Sequence, residues 1–233
     1  PKIEPFRPAP STPPRSTWAF FRWALEGAWP GLLWAGFWSA LAGSLEAVSA
    51  TILGDVIEAA NTADVATVWQ THLWLFVGFA VFYLAIRPLV FGISTSASSI
   101  VVEPNLFPLI LSRIHRWTLG QPVTFFDNDF AGRIAQKQMQ VARAATDVAT
   151  GTIETVAFAL ASVLGSVALL VTIDPRISVL SIAWVAVYIL FIRGFLRKVR
   201  GASASRAAAR AMDTAQIVDT VTNMKTVKLF AHA

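Results

Sequence analysis

Residues 153–192 read IETVAFALASVLGSVALLVTIDPRISVLSIAWVAVYILFI, two apolar runs separated by Asp174-Pro175-Arg176. A helix of about 20 apolar residues crosses the hydrocarbon core of a bilayer. A helix that continued through this point would not favour a proline there, and Asp-Pro is typical of a turn. The stretch therefore predicts two membrane spans, 153–173 and 177–192, joined as a helical hairpin.

The composition of the whole chain is that of a membrane protein. Its 233 residues are 55% hydrophobic and 14% charged, with a mean hydropathy of +0.57, whereas soluble domains carry about 25% charged residues. This balance excludes a disordered chain. The absence of cysteine excludes a disulfide scaffold, a thiolate metal site and a catalytic cysteine. The three histidines are scattered along the sequence, so no metal site is predicted.

Two further apolar stretches precede this hairpin and predict spans at 29–53 and 72–93. An aromatic and basic stretch beginning at Trp18 precedes the first span and resembles an interfacial helix. Residues 1–17 are rich in proline and predict a flexible tail. Because the sequence begins without methionine, we expect the chain to be a part of a longer protein.

The basic residues predict the topology. Seventeen of the 19 Lys and Arg residues lie before the first span, between the second and third, or after the fourth. Residues 54–71 carry acidic side chains and no Lys or Arg. The positive-inside rule therefore places both ends of the chain in the cytoplasm, and we expect a multi-pass protein of a bacterial inner membrane. Since topology explains the basic residues, no nucleic-acid partner is predicted.

Residues 94–152 form a long cytoplasmic loop in this topology. The loop is compatible with helix, and it is interrupted by Gly120-Gln121-Pro122 and again at Gly132. We predict two antiparallel helices that extend the second and third spans, with a short element at 123–131 at their tip. Pro104 and Pro108 are expected to bend the first of these helices.

Two motifs resemble those of the ATP-binding-cassette (ABC) exporters. The tip sequence QPVTFFDNDFAGRI, residues 121–134, resembles the first coupling-helix region of that family: Pro-x-x-Phe-Phe-Asp, four residues, Gly, and an aliphatic residue two positions later. The sequence DTVTNMKTVKLF, residues 219–230, resembles the second intracellular loop. The resemblance covers about residues 18–233. One departure is Val141, which stands where the family often has a polar and acidic pair.

The resemblance implies an all-α fold with long transmembrane helices that extend into the cytoplasm. Residues 18–233 would be the N-terminal part of an exporter's transmembrane domain, with four of six spans and an incomplete second intracellular loop from residue 193. Its implied function is the permease portion of an exporter that moves its substrate by alternating access. The chain lacks a Gly-x-x-x-x-Gly-Lys-Ser/Thr loop. ATP, Mg²⁺ and ATPase activity are therefore expected only on a nucleotide-binding domain outside it, with no cofactor or catalytic residue in this chain.

The resemblance also implies partners and contact residues. The partners are the nucleotide-binding domain, a second transmembrane half in a homo- or heterodimer, the lipid membrane, and a small-molecule, peptide or lipid substrate. Phe125 and Phe126 would be apolar knobs in a groove of the nucleotide-binding domain, and Asp127 would cap the short helix. The residues implied in coupling are Phe125, Phe126, Asp127, Gly132, Asn223, Lys225 and Thr226. Periodicity alone leaves an alternative, in which the two Phe rings pack the loop against its own helices.

Two charged residues fall inside predicted spans, where an isolated charge is costly. Arg87 lies in the second span and Glu46 in the first. The two residues either line a substrate cavity or form an internal ion pair, and Arg87 has the further option of extending its head towards the interface. Small residues at helical spacing predict two helix-packing faces, formed by Ala35, Ser39 and Gly43 and by Ala161 and Gly165.

A second class of function remains open from the residues alone. The chain would then be an integral-membrane enzyme or a scaffold with an unrelated cytoplasmic helical stalk. An enzyme needs a nucleophile, an acid or base, or a metal site converging at one depth. The hydroxyl-rich run at residues 94–99 has no evident base beside it in the sequence.

Overall fold

The structure, a computed structural model, describes residues 2–62, 68–127, 131–224 and 228. Helices and short connections account for these residues, and the described part of the chain contains no strand. The predicted all-α class is confirmed. The chain divides into two compact units, Pro1–Ile173 and Asp174–Ala233.

The first unit is a succession of helices. Its α-helices are α1 (Thr17–Ala24), α2 (Trp29–Thr62), α3 (Val68–Thr71), α4 (Leu73–Val81), α5 (Arg87–Ser96), α6 (Glu103–Leu119), α7 (Val123–Asp127), α8 (Ala131–Gly151) and α9 (Phe158–Ile173). Three π-helical turns join some of them without a break: π1 (Phe82–Ile86), π2 (Ala97–Val102) and π3 (Thr152–Ala157). The second unit contains α10 (Pro175–Thr222).

Among the residues that the structure describes, four helices are long and apolar enough to cross a membrane. They are Trp29–Asn61, Leu73–Leu119, Arg133–Ile173 and Pro175–Ser203. The prediction of four long apolar helices is therefore confirmed. Each predicted span lies within one of these helices, with one exception at a single residue. His72, the first residue of the predicted second span, precedes α4.

The boundary between the third and fourth apolar helices lies where the sequence predicts it. Helix α9 ends at Ile173 and α10 begins at Pro175. The Oδ1 atom of Asp174 accepts a hydrogen bond of 2.8 Å from the backbone N–H of Arg176. Asp174 therefore acts as an N-cap, and proline suits the first helical position because its missing N–H would have no partner there.

The buried core of the first unit lies between α6, α8, α1 and the beginning of α2. Leu106, Leu109 and Ile110 on α6 are buried, as are Ala142 and Ala145 on α8. By contrast, α4 and α9 contain no buried residue. Exposed apolar side chains on these helices are compatible with a lipid environment, because lipid tails solvate apolar side chains.

Helices α6 and α8 run antiparallel, as the sequence predicts, and α7 lies at their tip. The Nδ1 atom of His115 is hydrogen-bonded to Oε1 of Gln138 at 3.2 Å. Further along, the guanidinium of Arg143 lies 5.7 Å from the centre of the Phe107 ring. Residue numbers therefore decrease along α6 as they increase along α8, so the two helices run in opposite directions. We call α6, α7 and α8 the stalk.

Small residues allow α2 and α9 to pack closely. A Cβ atom at Gly43 would collide with the backbone carbonyl oxygen of Phe158, and one at Gly165 would lie 3.2 Å from the Cβ of Ala47. Ala35 and Ser39 on the same face of α2 are buried. The helix-packing role predicted for these small residues is confirmed at Gly43 and Gly165.

The N-terminal segment differs from the predicted flexible tail. Ile3 is 4% exposed and belongs to the core. The carbonyl of Pro5 accepts a 3.2 Å hydrogen bond from Ser112, and that of Ser11 accepts one of 2.8 Å from the indole N–H of Trp23. Proline prevents this segment from forming a helix, but its carbonyl groups remain free to accept hydrogen bonds from the helices it crosses.

Candidate functional site

The tip of the stalk presents an apolar surface. The backbone N–H of Phe125 donates to the carbonyl of Pro122 at 2.9 Å, which tightens the beginning of α7. The Phe125 and Phe126 rings meet edge to face, with centroids 5.3 Å apart. Phe125 is 39% exposed, Phe126 36% and Val123 75%. The two rings therefore contact each other while each keeps more than a third of its surface free.

The other residues implied in coupling fall in three places. Asp127 is the last residue of α7, so its position does not allow it to cap the beginning of that helix as predicted. Gly132 is the second residue of α8. Asn223 follows α10 in the second unit and is exposed. Lys225 and Thr226 lie outside the described residues.

Arg113 is a buried cation that sequence analysis did not single out. It is 2% exposed, and its hydrogen bonds within the described part of the chain all go to backbone carbonyls. Its Nη2 atom lies 2.8 Å from the backbone carbonyl oxygen of Glu26, and its Nε atom lies 3.2 Å from that of Arg7. Its Nη1 atom lies 2.9 Å from the backbone carbonyl oxygen of Trp23 and 3.1 Å from that of Ala24. Arg113 thus joins the stalk to the end of α1 and to the N-terminal segment.

The sequence did contain a signal for this position. Leu106, Ile110 and Arg113 are spaced four and three residues apart, so helical periodicity places the arginine on the apolar stripe of α6. A planar guanidinium with five N–H groups suits such a place because it can reach several carbonyls at once.

Arg87 and Glu46 form an ion pair between α5 and α2. Nη2 of Arg87 lies 2.9 Å from Oε1 of Glu46, and the two side chains are 32% and 34% exposed. Nη1 also donates to the hydroxyl of Ser49 at 3.2 Å, and that hydroxyl is hydrogen-bonded to Tyr83 at 2.5 Å. Of the alternatives from the sequence, the internal ion pair is present, and it satisfies both charges within the apolar helices.

A cavity of about 310 Å³ lies between α2, α5, π2 and π3. Hydroxyl groups and one carboxylate line it, together with two aromatic rings; these residues include Ser39, Ser94, Thr95, Ser98, Glu154, Phe91 and Phe158. The Ser98 hydroxyl donates to Oε1 of Glu154 at 2.6 Å, and the Ser39 hydroxyl donates to the Ile153 carbonyl at 2.9 Å. The hydroxyl-rich run at residues 94–99 therefore does face a carboxylate, which belongs to the opposite helix.

Four long apolar helices and a helical stalk with an apolar tip define an all-α polytopic membrane protein. Residues 32–233 match the family described as the ABC transporter transmembrane region, and the chain belongs to that family. The resemblance stated from the sequence is thus confirmed. The chain is an integral membrane protein and represents a permease portion of a transporter.

One relative extends the comparison. The chain is 28% identical over 224 residues to a protein of Haemophilus influenzae called an uncharacterized ABC transporter ATP-binding protein. The matched region covers 96% of this chain and 36% of the relative. The chain therefore spans about a third of the length of the curated relative it matches. No solved structure matches the chain significantly.

Proposed function

We propose that this chain is part of the permease of an ATP-driven exporter that works by alternating access, and that the tip of its stalk engages a nucleotide-binding domain. The observation that carries the proposal is the apolar surface of α7, where Val123, Phe125 and Phe126 are exposed at the end of two paired helices. Aromatic side chains are frequent anchors in protein interfaces, where they fill pockets of the partner.

The packing of the stalk supports a role in transmitting a displacement of its tip. Leu106, Leu109 and Ile110 pack in the core beside Ala142 and Ala145 of the antiparallel helix. Packed interiors are dense and change between discrete arrangements more readily than they deform. Movement of α7 would therefore carry α6 and α8 with it, and through them the apolar helices with which they are continuous.

The energy would come from a nucleotide-binding domain outside this chain, which would hold ATP and Mg²⁺. ATP binding would close two such domains on each other and draw the tips with them. The spans would then shift between inward-facing and outward-facing states. In this proposal the chain acts with a second transmembrane half in a bacterial inner membrane, and the tip lies in the cytoplasm.

Substitution of Phe126 by alanine tests the coupling role. In the complete protein, Phe126→Ala should keep the thermal stability and nucleotide binding of the unmodified protein. ATP together with vanadate is expected to change the pattern of limited tryptic digestion of the unmodified protein. Phe126→Ala should weaken that change. Loss of a central aromatic anchor commonly costs upward of about 2 kcal/mol, roughly a thirtyfold loss of affinity.

A matched control is Leu119→Ala, because Leu119 is 64% exposed at the end of α6 and lies outside α7. It should leave the ATP-dependent change intact. If Phe126→Ala lowers stability while the ATP-dependent change survives, the two Phe rings hold the loop on its own helices, and the coupling role is wrong.

A further inference from the structure

Two acidic side chains in the apolar helices of the first unit have different electrostatic surroundings. Glu46 is neutralised by Arg87 at 2.9 Å. Glu154 has a hydrogen bond from the Ser98 hydroxyl, and within the described residues it forms no ion pair with a Lys or Arg side chain. Glu154 is exposed, and a hydroxyl group stabilises its carboxylate but leaves the charge in place, so the charge remains open to a cationic ligand.

The backbone around Glu154 is also unusual. Glu154 belongs to π3, and Ser98, which faces it, belongs to π2. Short π-helical segments inside α-helices are frequent at functional sites, because the extra residue redirects side chains and interrupts the regular hydrogen bonds. Here two such segments, distant in sequence, supply residues that line one cavity.

The lining of the cavity indicates the chemistry of its ligand. The hydroxyl groups of Ser94 and Thr95 and the carboxylate of Glu154 supply oxygen acceptors. The rings of Phe91 and Phe158 meet edge to face with centroids 6.1 Å apart and line the same cavity. Oxygen acceptors bind the N–H donors of an ammonium group, and aromatic rings attract cations and pack against apolar substituents.

We propose that the cavity between π2 and π3 binds an organic ammonium group, with Glu154 as its counter-ion and Ser94, Thr95 and Ser98 beside it. The volume of about 310 Å³ lies at the lower end of the range for small-molecule sites, about 300–1,000 Å³. The ammonium group belongs either to a free organic cation or to the headgroup of an aminophospholipid. The inference rests on the proposed permease function, in which such a group would be carried or sensed by the moving helices.

Protection of an introduced cysteine measures binding in the cavity. The complete protein, in a cysteine-free background, carries Ser94→Cys and is reconstituted in nanodiscs of phosphatidylglycerol. The neutral reagent N-ethylmaleimide modifies the cysteine, without nucleotide, at increasing concentrations of 2-phenylethylammonium. We expect the cation to slow modification. Thr95→Cys, which lines the same cavity, is the second reporter if Ser94→Cys reacts too slowly to follow.

The variant Glu154→Gln removes the charge and keeps the shape, and Ser98 can still donate to the amide oxygen. It should raise the half-protecting concentration of 2-phenylethylammonium about tenfold. The neutral isostere propylbenzene should protect weakly and equally in both proteins. A cysteine at Ser96, which lines a different groove of α5, should react at the same rate throughout and so report an intact fold.

Nanodiscs that also contain phosphatidylethanolamine distinguish the two sources of the ammonium group. If this lipid alone slows modification of Ser94→Cys, and Glu154→Gln removes the effect, the lipid headgroup occupies the site. If only 2-phenylethylammonium protects, the ligand is a free cation. Equal protection of the parent and Glu154→Gln, or equal protection by propylbenzene, would overturn the proposal. Because this experiment uses no ATP, its failure leaves the Phe126→Ala test of coupling unaffected.

Discussion

At the scale of single residues, the structure shows how an apolar helix protein accommodates its few charges. Arg113 satisfies its guanidinium with backbone carbonyls at the end of α1 and in the N-terminal segment. Arg87 satisfies its own with the Glu46 carboxylate. Each solution gives a buried or half-buried charge polar partners within the fold. Glu154 has a hydroxyl group in place of a cation, which makes it the natural counter-ion of a ligand.

The residue-scale prediction concerns Arg113. Arg113→Lys keeps the charge but replaces a planar fork of donors by one compact ammonium group, so some of the buried carbonyls lose their partner. We expect a loss of about 2 kcal/mol in the free energy of unfolding, followed through the fluorescence of the chain's nine tryptophans. Arg116→Lys, one turn away and exposed, should change stability by less than about 0.5 kcal/mol. Equal stability of the two variants would contradict the structural role of Arg113.

At the scale of helices, local sequence predicted the boundaries that depend on local chemistry. Asp174 and Pro175 mark the break between α9 and α10 because their capping and steric effects act within a few residues. Gly120 and Pro122 mark the end of α6 for the same reason. The antiparallel stalk followed from its length and from those boundaries.

The features that sequence analysis missed depend on contacts between distant segments. Ile3 is buried beside Gly31, and no local pattern connects these two residues. The π-helical turns are also absent from the predictions, since they depend on tertiary packing. The pairing of Ser98 with Glu154 could have been predicted from the sequence. An antiparallel stalk with its tip near residues 123–127 places these two residues opposite each other.

The element-scale prediction concerns the contact of α2 with α9. Gly43→Ala would place a methyl group against the backbone carbonyl of Phe158, which can move only with its helix. We expect a loss of roughly 1–3 kcal/mol in stability from overpacking. Gly36→Ala, seven residues earlier on α2, has no atom within 4 Å of the added Cβ. It should be neutral or slightly stabilising, because alanine is the better helix former. Thermal unfolding of both variants in detergent separates these outcomes, and a neutral Gly43→Ala would show that the two helices pack less closely.

At the scale of the whole molecule, the distribution of basic residues and the lengths of the apolar helices predict a topology in which the stalk lies in the cytoplasm. The prediction uses a cysteine at Asn61, near the end of α2, and another at Val123, at the tip of the stalk. In a cysteine-free background, a membrane-impermeant maleimide should label the first in intact cells and the second only after permeabilisation. Labelling of both from the same side would contradict the four-span topology.

The central claim is that the tip of the stalk contacts a nucleotide-binding domain, and site-specific photocrosslinking measures this contact most directly. The photoreactive residue p-benzoylphenylalanine replaces Phe125 in the complete protein, and the crosslinked peptides are identified by mass spectrometry. A control places the same residue at Leu84, which is 80% exposed in π1, and should give no such product. The predicted result is a crosslink from position 125 to a peptide of a nucleotide-binding domain. Crosslinks from position 125 only to α6 or α8 of its own stalk would contradict the claim.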